Sequence, residues 1–139
     1  MTQNQVSGAA ANAYGRATAL RIAQQIGATM KGKTSNEALL EGRRVVIKCA
    51  QRNTQSIGVT YRMLGYVDSI VAAFELPDGR YELYELTPKL FETYATHAES
   101  RRIQGSSRYC PATCYRESRA SLPHYCSRLI PFRHRRCVR

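Results

Sequence analysis

Two residues in the first third of the chain are of types that do chemistry together, a carboxylate at Glu37 and an amine at Lys48. They bracket the stretch Asn36-Glu-Ala-Leu-Leu-Glu-Gly-Arg-Arg-Val-Val-Ile-Lys48, which reads as a tight hairpin. Leu39 and Leu40 supply one strand, Glu41-Gly42-Arg43 the turn, and the β-branched run Val45-Val46-Ile47 the other. A lysine directly after such a run has no packing reason to be there. Burying an ammonium costs several kcal/mol unless an anion meets it, so Lys48 asks for a carboxylate or a phosphate. Glu37 is the nearest upstream carboxylate.

Around this pair, Arg43, Arg44, Arg52 and Arg62 form either a solvated face or a set of phosphate contacts that fix position rather than sequence. Tyr61, Tyr66, Tyr81 and Tyr84 offer rings for base stacking, or for half-buried packing on strands. Cys49 alternates onto the face opposite Lys48 and reads as a core thiol. No Ser-His-Asp set, P-loop or dinucleotide loop is present in the sequence.

These residues must be positioned by elements that the sequence sets out in order. Ala19, Ile22, Ala23, Ile26 and Met30 fall at helical spacing, which predicts an amphipathic helix over 9–28 without a single acid. The Glu37–Lys48 hairpin follows, then a polar loop over 51–56, and a segment 59–65 that reads equally as short helix or strand. The apolar run 69–76 predicts a buried strand. Pro77-Asp78-Gly79 is a turn, proline fixing φ and glycine allowing φ > 0. Tyr81-Glu-Leu-Tyr-Glu-Leu86 pairs back, its acids expected toward water, and Thr87-Pro88 starts a helix with Thr as N-cap. The expected class is α/β: a small mixed sheet built from two hairpins and flanked by helices.

With 139 residues the chain has room for one domain with a substantial core. Its formal net charge of +11 favours a polyanionic partner, most simply nucleic acid. The start has no basic and apolar leader, and the run Ile70–Phe74 is too short to span a bilayer, so a soluble cytoplasmic protein is expected, with no membrane partner.

Charge and cysteine are unevenly spread. Up to Ser100 acids and bases nearly balance, whereas beyond it arginines face only Glu117 and no lysine occurs. Cys110, Cys114, Cys126 and Cys137 fall there too, among serines and prolines without periodicity, and we place a boundary near Gly105, dividing a domain 1–104 from a tail 105–139. Three readings of the tail compete. With His124 and His134 the cysteines are zinc-type ligands, but no second pair at zinc-finger spacing follows Cys110 and Cys114. The arginines suit a disordered arm on nucleic acid, in which cysteine is unusual. The third reading, which we favour, is translation in a shifted frame, to be tested by the coding DNA.

The leading helix, the acid on one strand, the tight turn and the strand ending in apolar-x-Lys together resemble the PD-(D/E)XK restriction-endonuclease-like superfamily. The resemblance covers 9–97 and rests on the pattern Glu-Ala-x-x-x-Gly-Arg-Arg-Val-x-Ile-Lys. It implies a restriction-endonuclease-like fold and a DNA phosphodiesterase in which two acids hold Mg²⁺ and the lysine positions or activates the attacking water. Carried over, Glu37 matches the first acid and Lys48 the lysine. The second acid stands two residues before the lysine, on the same face of the strand, and here that residue is Val46. Mg²⁺ prefers six hard oxygens, so one carboxylate would leave the rest to water and phosphate. Some members are similar but recruit a carboxylate from elsewhere. The first helix has none to offer, and Glu41, Asp68 and Glu75 are the alternatives, Asp68 being the metal ligand we expect beside Glu37. The resemblance therefore implies a DNA endonuclease that is weak or inactive, or a non-catalytic nuclease-fold module for nucleic acid or interaction. Its expected partners are DNA and, in a homodimer, a second copy. A small domain with no nucleic-acid role is the third reading, since most of the positive charge lies in the tail.

Overall fold

The computed structural model describes residues 3–54, 56–97, 107–111 and 129–130. Its elements run α1 (Gln3–Ile26), β1 (Thr29–Met30), β2 (Glu37–Leu40), β3 (Arg43–Ala50), β4 (Ser56–Thr60), α2 (Tyr61–Leu64), β5 (Ser69–Glu75), β6 (Tyr81–Leu86), α3 (Pro88–His97), β7 (Ser107–Pro111) and β8 (Leu129–Ile130). The class is α/β, as expected. A six-stranded mixed sheet has the order β1-β2-β3-β5-β6-β8, and β4 pairs with β7 in a separate ribbon.

Both hairpins form. β2 and β3 pair antiparallel with Glu37 opposite Val46, and their connection is the two-residue turn Glu41-Gly42. Both turn residues have positive φ, 51° and 78°. That is the type I′ geometry, whose twist matches the strands it joins. β5 and β6 pair antiparallel across a turn in which the Leu76 and Gly79 amides donate to the Arg80 and Leu76 carbonyls. The hairpins join through a parallel pairing of β3 with β5, Lys48 lying beside Ala72. A parallel pair needs a crossover, and β4 with α2 provides it.

Alternation along β3 sorts the core into two layers. Val45 and Ile47 pack with Val71, Ala73 and Leu83 against Ala19, Ile22 and Ala23 of α1. On the other face Val46, Ile70, Ala72 and Leu86 pack against Phe91 and Ala95 of α3 and against Ile57 and Val59 of β4. β5, covered on both faces, is buried along almost its whole length, hence its unbroken apolar run.

Several expectations need adjusting. The first helix begins at Gln3 rather than Ala9, since no proline stops it earlier. It ends where Gly27 takes φ +77° and the Ala28 amide returns to the Ala23 carbonyl, a Schellman cap. The ambiguous segment is both strand and helix: β4 ends at Thr60, whose hydroxyl accepts from the Met63 amide and starts the single turn α2. Thr87 caps α3 by accepting from the Leu90 amide. Glu85, expected toward water, is only 19% exposed and is held by Arg43 and the Ser69 hydroxyl. Beyond Gly105, Ser107–Pro111 pairs antiparallel with β4 and Leu129–Ile130 with β6. Cys114, His124, Cys126, His134 and Cys137 lie outside the described residues.

Candidate functional site

Register places Glu37, Val46 and Lys48 on one face of the sheet, the face that carries α3 and β4. Glu37 stands directly across from Val46, and Lys48 is two residues further along β3, a diagonal neighbour. The pair singled out from sequence is thus brought together by the hairpin.

Glu37 is already engaged. The Tyr66 hydroxyl donates to one carboxylate oxygen, and the Lys31 ammonium lies 3.6 Å from the other. The bond to Glu37 favours the neutral phenol, so the Tyr66 hydroxyl is held above its ordinary pKa. Backbone bonds fix the carboxylate's position: the Glu37 amide donates to the Ser35 hydroxyl, and the Lys31 amide donates to the Glu37 carbonyl. Neither Tyr66 nor Lys31 stood out as a partner of Glu37 in the sequence. Tyr66 follows α2, and only the crossover brings it back over the hairpin.

Lys48 is half-buried and has no hydrogen-bond or ion-pair partner among the described residues. Burial lowers the pKa of its amine, the thiol of neighbouring Cys49 opposing weakly. Cys49 itself, half-buried on the α1 face, is pushed up to about 12 by burial. The core-thiol reading of Cys49 agrees with that placement.

Asp68 is elsewhere. It precedes β5, and its carboxylate accepts from the Arg44 amide at 2.7 Å, with the Arg44 guanidinium 4.0 Å away. Val45 pairs with Ser69 and Lys48 with Ala72, so Asp68 lies at the opposite end of β3 from Lys48. Four register steps at about 3.3 Å each separate it from Ala72, the partner of Lys48. Glu75 is committed to Tyr14 and to the Arg52 amide, and Glu41 is in the turn.

In a Mg²⁺ site of the two-acid kind, the resemblance would put the second acid at Val46. Val46 is fully buried where the second acid would stand, and both oxygens of Glu37 have partners. Among the described residues no three His, Cys, Asp or Glu side chains gather closely enough to hold a metal.

The four arginines separate. Arg44 and Arg62 are exposed and lie close enough to Tyr66 for their charges to act on its hydroxyl. Arg43 turns away to Glu85 at 2.6 Å, and Arg52 reaches the Pro77 carbonyl at the far end of the sheet. The surface around Glu37 thus holds Lys31, Arg44 and Arg62, with Asp68 paired to Arg44, and Lys48 lies on the same sheet face as Glu37. Such a surface suits an oxyanion of a polymer backbone, which needs charge and donors but no metal.

Among the described residues no helix is long and apolar enough to cross a membrane. No protein-family model, curated protein sequence or solved structure matches this chain.

Proposed function

We propose that this chain is a small, degenerate relative of the PD-(D/E)XK restriction-endonuclease-like proteins that binds nucleic acid through its Glu37–Lys48 face, with hydrolysis weak or absent. The observation that supports this most is the half-buried Lys48 ammonium, which lacks an anionic partner among the described residues and lies on the sheet face of Glu37, whose surroundings include Lys31, Arg44 and Arg62. A phosphate offers the charge that Lys48 lacks. DNA is the proposed partner because duplex phosphates would meet this cluster without any need for sequence readout. Cleavage is the less favoured reading, since the resemblance implies a second acid where Val46 is buried and Mg²⁺ would have Glu37 alone from the hairpin.

The test is fluorescence anisotropy of a labelled DNA duplex with the full chain, alongside plasmid nicking with Mg²⁺ or Mn²⁺. The proposal expects salt-dependent binding and no nicking. Lys48→Ala and Arg62→Ala should each weaken binding and reduce its salt slope by about one. Metal-dependent nicking that both Glu37→Ala and Lys48→Ala abolish would establish the nuclease instead. Binding indifferent to Lys48 and Arg62 would remove this face from the account.

A further inference from the structure

On the side of the sheet that carries α1, a groove of about 520 Å³ opens between that helix and the segment joining β1 to β2. Arg16, Ala17 and Leu20 line it from the helix, Met30 from the end of β1, and Lys33 and Ser35 from the segment. The helical face explains the arrangement. Ala19, Ile22 and Ala23 turn into the core, while Arg16 and Leu20, four apart, form an adjacent stripe facing outward. Leu20 is consequently 47% exposed, with half-buried Met30 lining the same groove.

Charge in the two segments that line the groove has one sign. Residues 1–36 contain no Asp or Glu, and their charged side chains are Arg16, Arg21, Lys31 and Lys33. Arg16 and Lys33 are exposed and have no ion-pair partner among the described residues. The groove thus has an aliphatic floor and a cationic rim.

Nucleic acid would use such a rim but not such a floor, because no aromatic ring lines the groove for a base to stack on. A peptide uses both. β1 adds a further means of attachment: it pairs with β2 on one side and among the described residues is the last strand of its sheet on the other, an edge onto which an extended chain can add backbone hydrogen bonds.

We infer that this groove docks an extended acidic peptide segment of a partner protein. An apolar side chain of the partner sits on Ala17, Leu20 and Met30, and flanking carboxylates face Arg16 and Lys33. This site is on the opposite side of the sheet from Glu37 and Lys48, so it stands or falls separately from the nucleic-acid reading.

The experiment is selection of a displayed random peptide library on the full chain, followed by anisotropy titration of the enriched peptides. Enrichment of sequences with an aliphatic residue flanked by Asp or Glu is expected. Leu20→Asp and Lys33→Glu should each weaken those peptides by about tenfold or more, with unchanged thermal unfolding because both positions are exposed. Failure to enrich acidic sequences, or binding that Leu20→Asp leaves intact, would overturn the inference. So would displacement of the peptide by a single-stranded oligonucleotide whose own binding depends on Lys33 and not on Leu20.

Discussion

Restoring the acid that the hairpin lacks, by Val46→Asp, should unfold the domain before it repairs a site. Val46 has no exposed surface and packs in the layer formed by Ile70, Leu86 and Phe91, directly across from Glu37. Removing the valine forfeits about 1.5–3 kcal/mol of apolar burial. A carboxylate in the same place adds a desolvation cost of several kcal/mol, with a second carboxylate as its cross-strand neighbour. The sum is at least about 4 kcal/mol, a large part of the roughly 5–15 kcal/mol typical of a domain. With a urea m-value of about 1–3 kcal/mol/M, the midpoint should fall by roughly 2 M.

The pH dependence separates a buried charge from a mere cavity. The introduced carboxyl has a folded pKa raised above its unfolded value, so stability is lost as pH rises between the two and regained as pH falls. Where the folded group is neutral and the unfolded one ionised, about 1.4 kcal/mol returns per pH unit of acidification. Urea unfolding of wild type, Val46→Ala and Val46→Asp at pH 7 and pH 5 measures this. The Asp variant should be the least stable at pH 7 and approach the Ala variant at pH 5. If Val46→Asp is no worse than Val46→Ala at pH 7, or if their difference ignores pH, the position is open to water and the argument against a second acid there collapses.

Three further outcomes follow from named residues. Glu41→Asn should stabilise the hairpin by about 0.5–1 kcal/mol, because Glu41 holds φ 51° in a turn that favours asparagine and its 3.9 Å ion pair with Arg43 is exposed; a fall in Tm would contradict the turn geometry. Lys48→Met should raise stability at pH 7, and its advantage should shrink as pH rises towards the ordinary lysine range, since the folded amine gives up its proton before the unfolded one does; a pH-independent difference in chemical denaturation would count against a strained ammonium. Cys49, pushed up to about 12, should resist iodoacetamide at pH 8 until denaturant is added, as read by peptide mapping; native labelling at the rate of a free thiol would show that the α1 face opens.

What could be read from the sequence was local. The strands over 69–75 and 81–86, the turn between them, the Thr87 cap and the Glu37–Lys48 hairpin all follow from patterns a few residues long, in which side-chain period and turn chemistry agree. The parts that stayed hidden depend on residues far apart in the chain. Tyr66 reaches Glu37 from 29 positions away, and Asp68 is drawn to Arg44 by the parallel pairing of β3 with β5, which no short pattern encodes. Arg43 and Arg44 are adjacent, yet alternation sends one to Glu85 and the other to Asp68, so a block of like charge in the sequence becomes two sites in space.

The ribbon of β4 with β7 bears on where this chain can be cut. Ile57 and Val59 of β4 are buried at 3% and 1%, and the backbone of that strand is paired across to Ser107–Pro111. A protein shortened at Gly105 would keep the nine elements from α1 to α3 but leave β4 with its hydrogen-bonding edge bare beside an apolar face. Bare edges of that kind recruit one another, so the shortened protein should elute in light scattering as concentration-dependent assemblies, with the missing strand supplied by a neighbour.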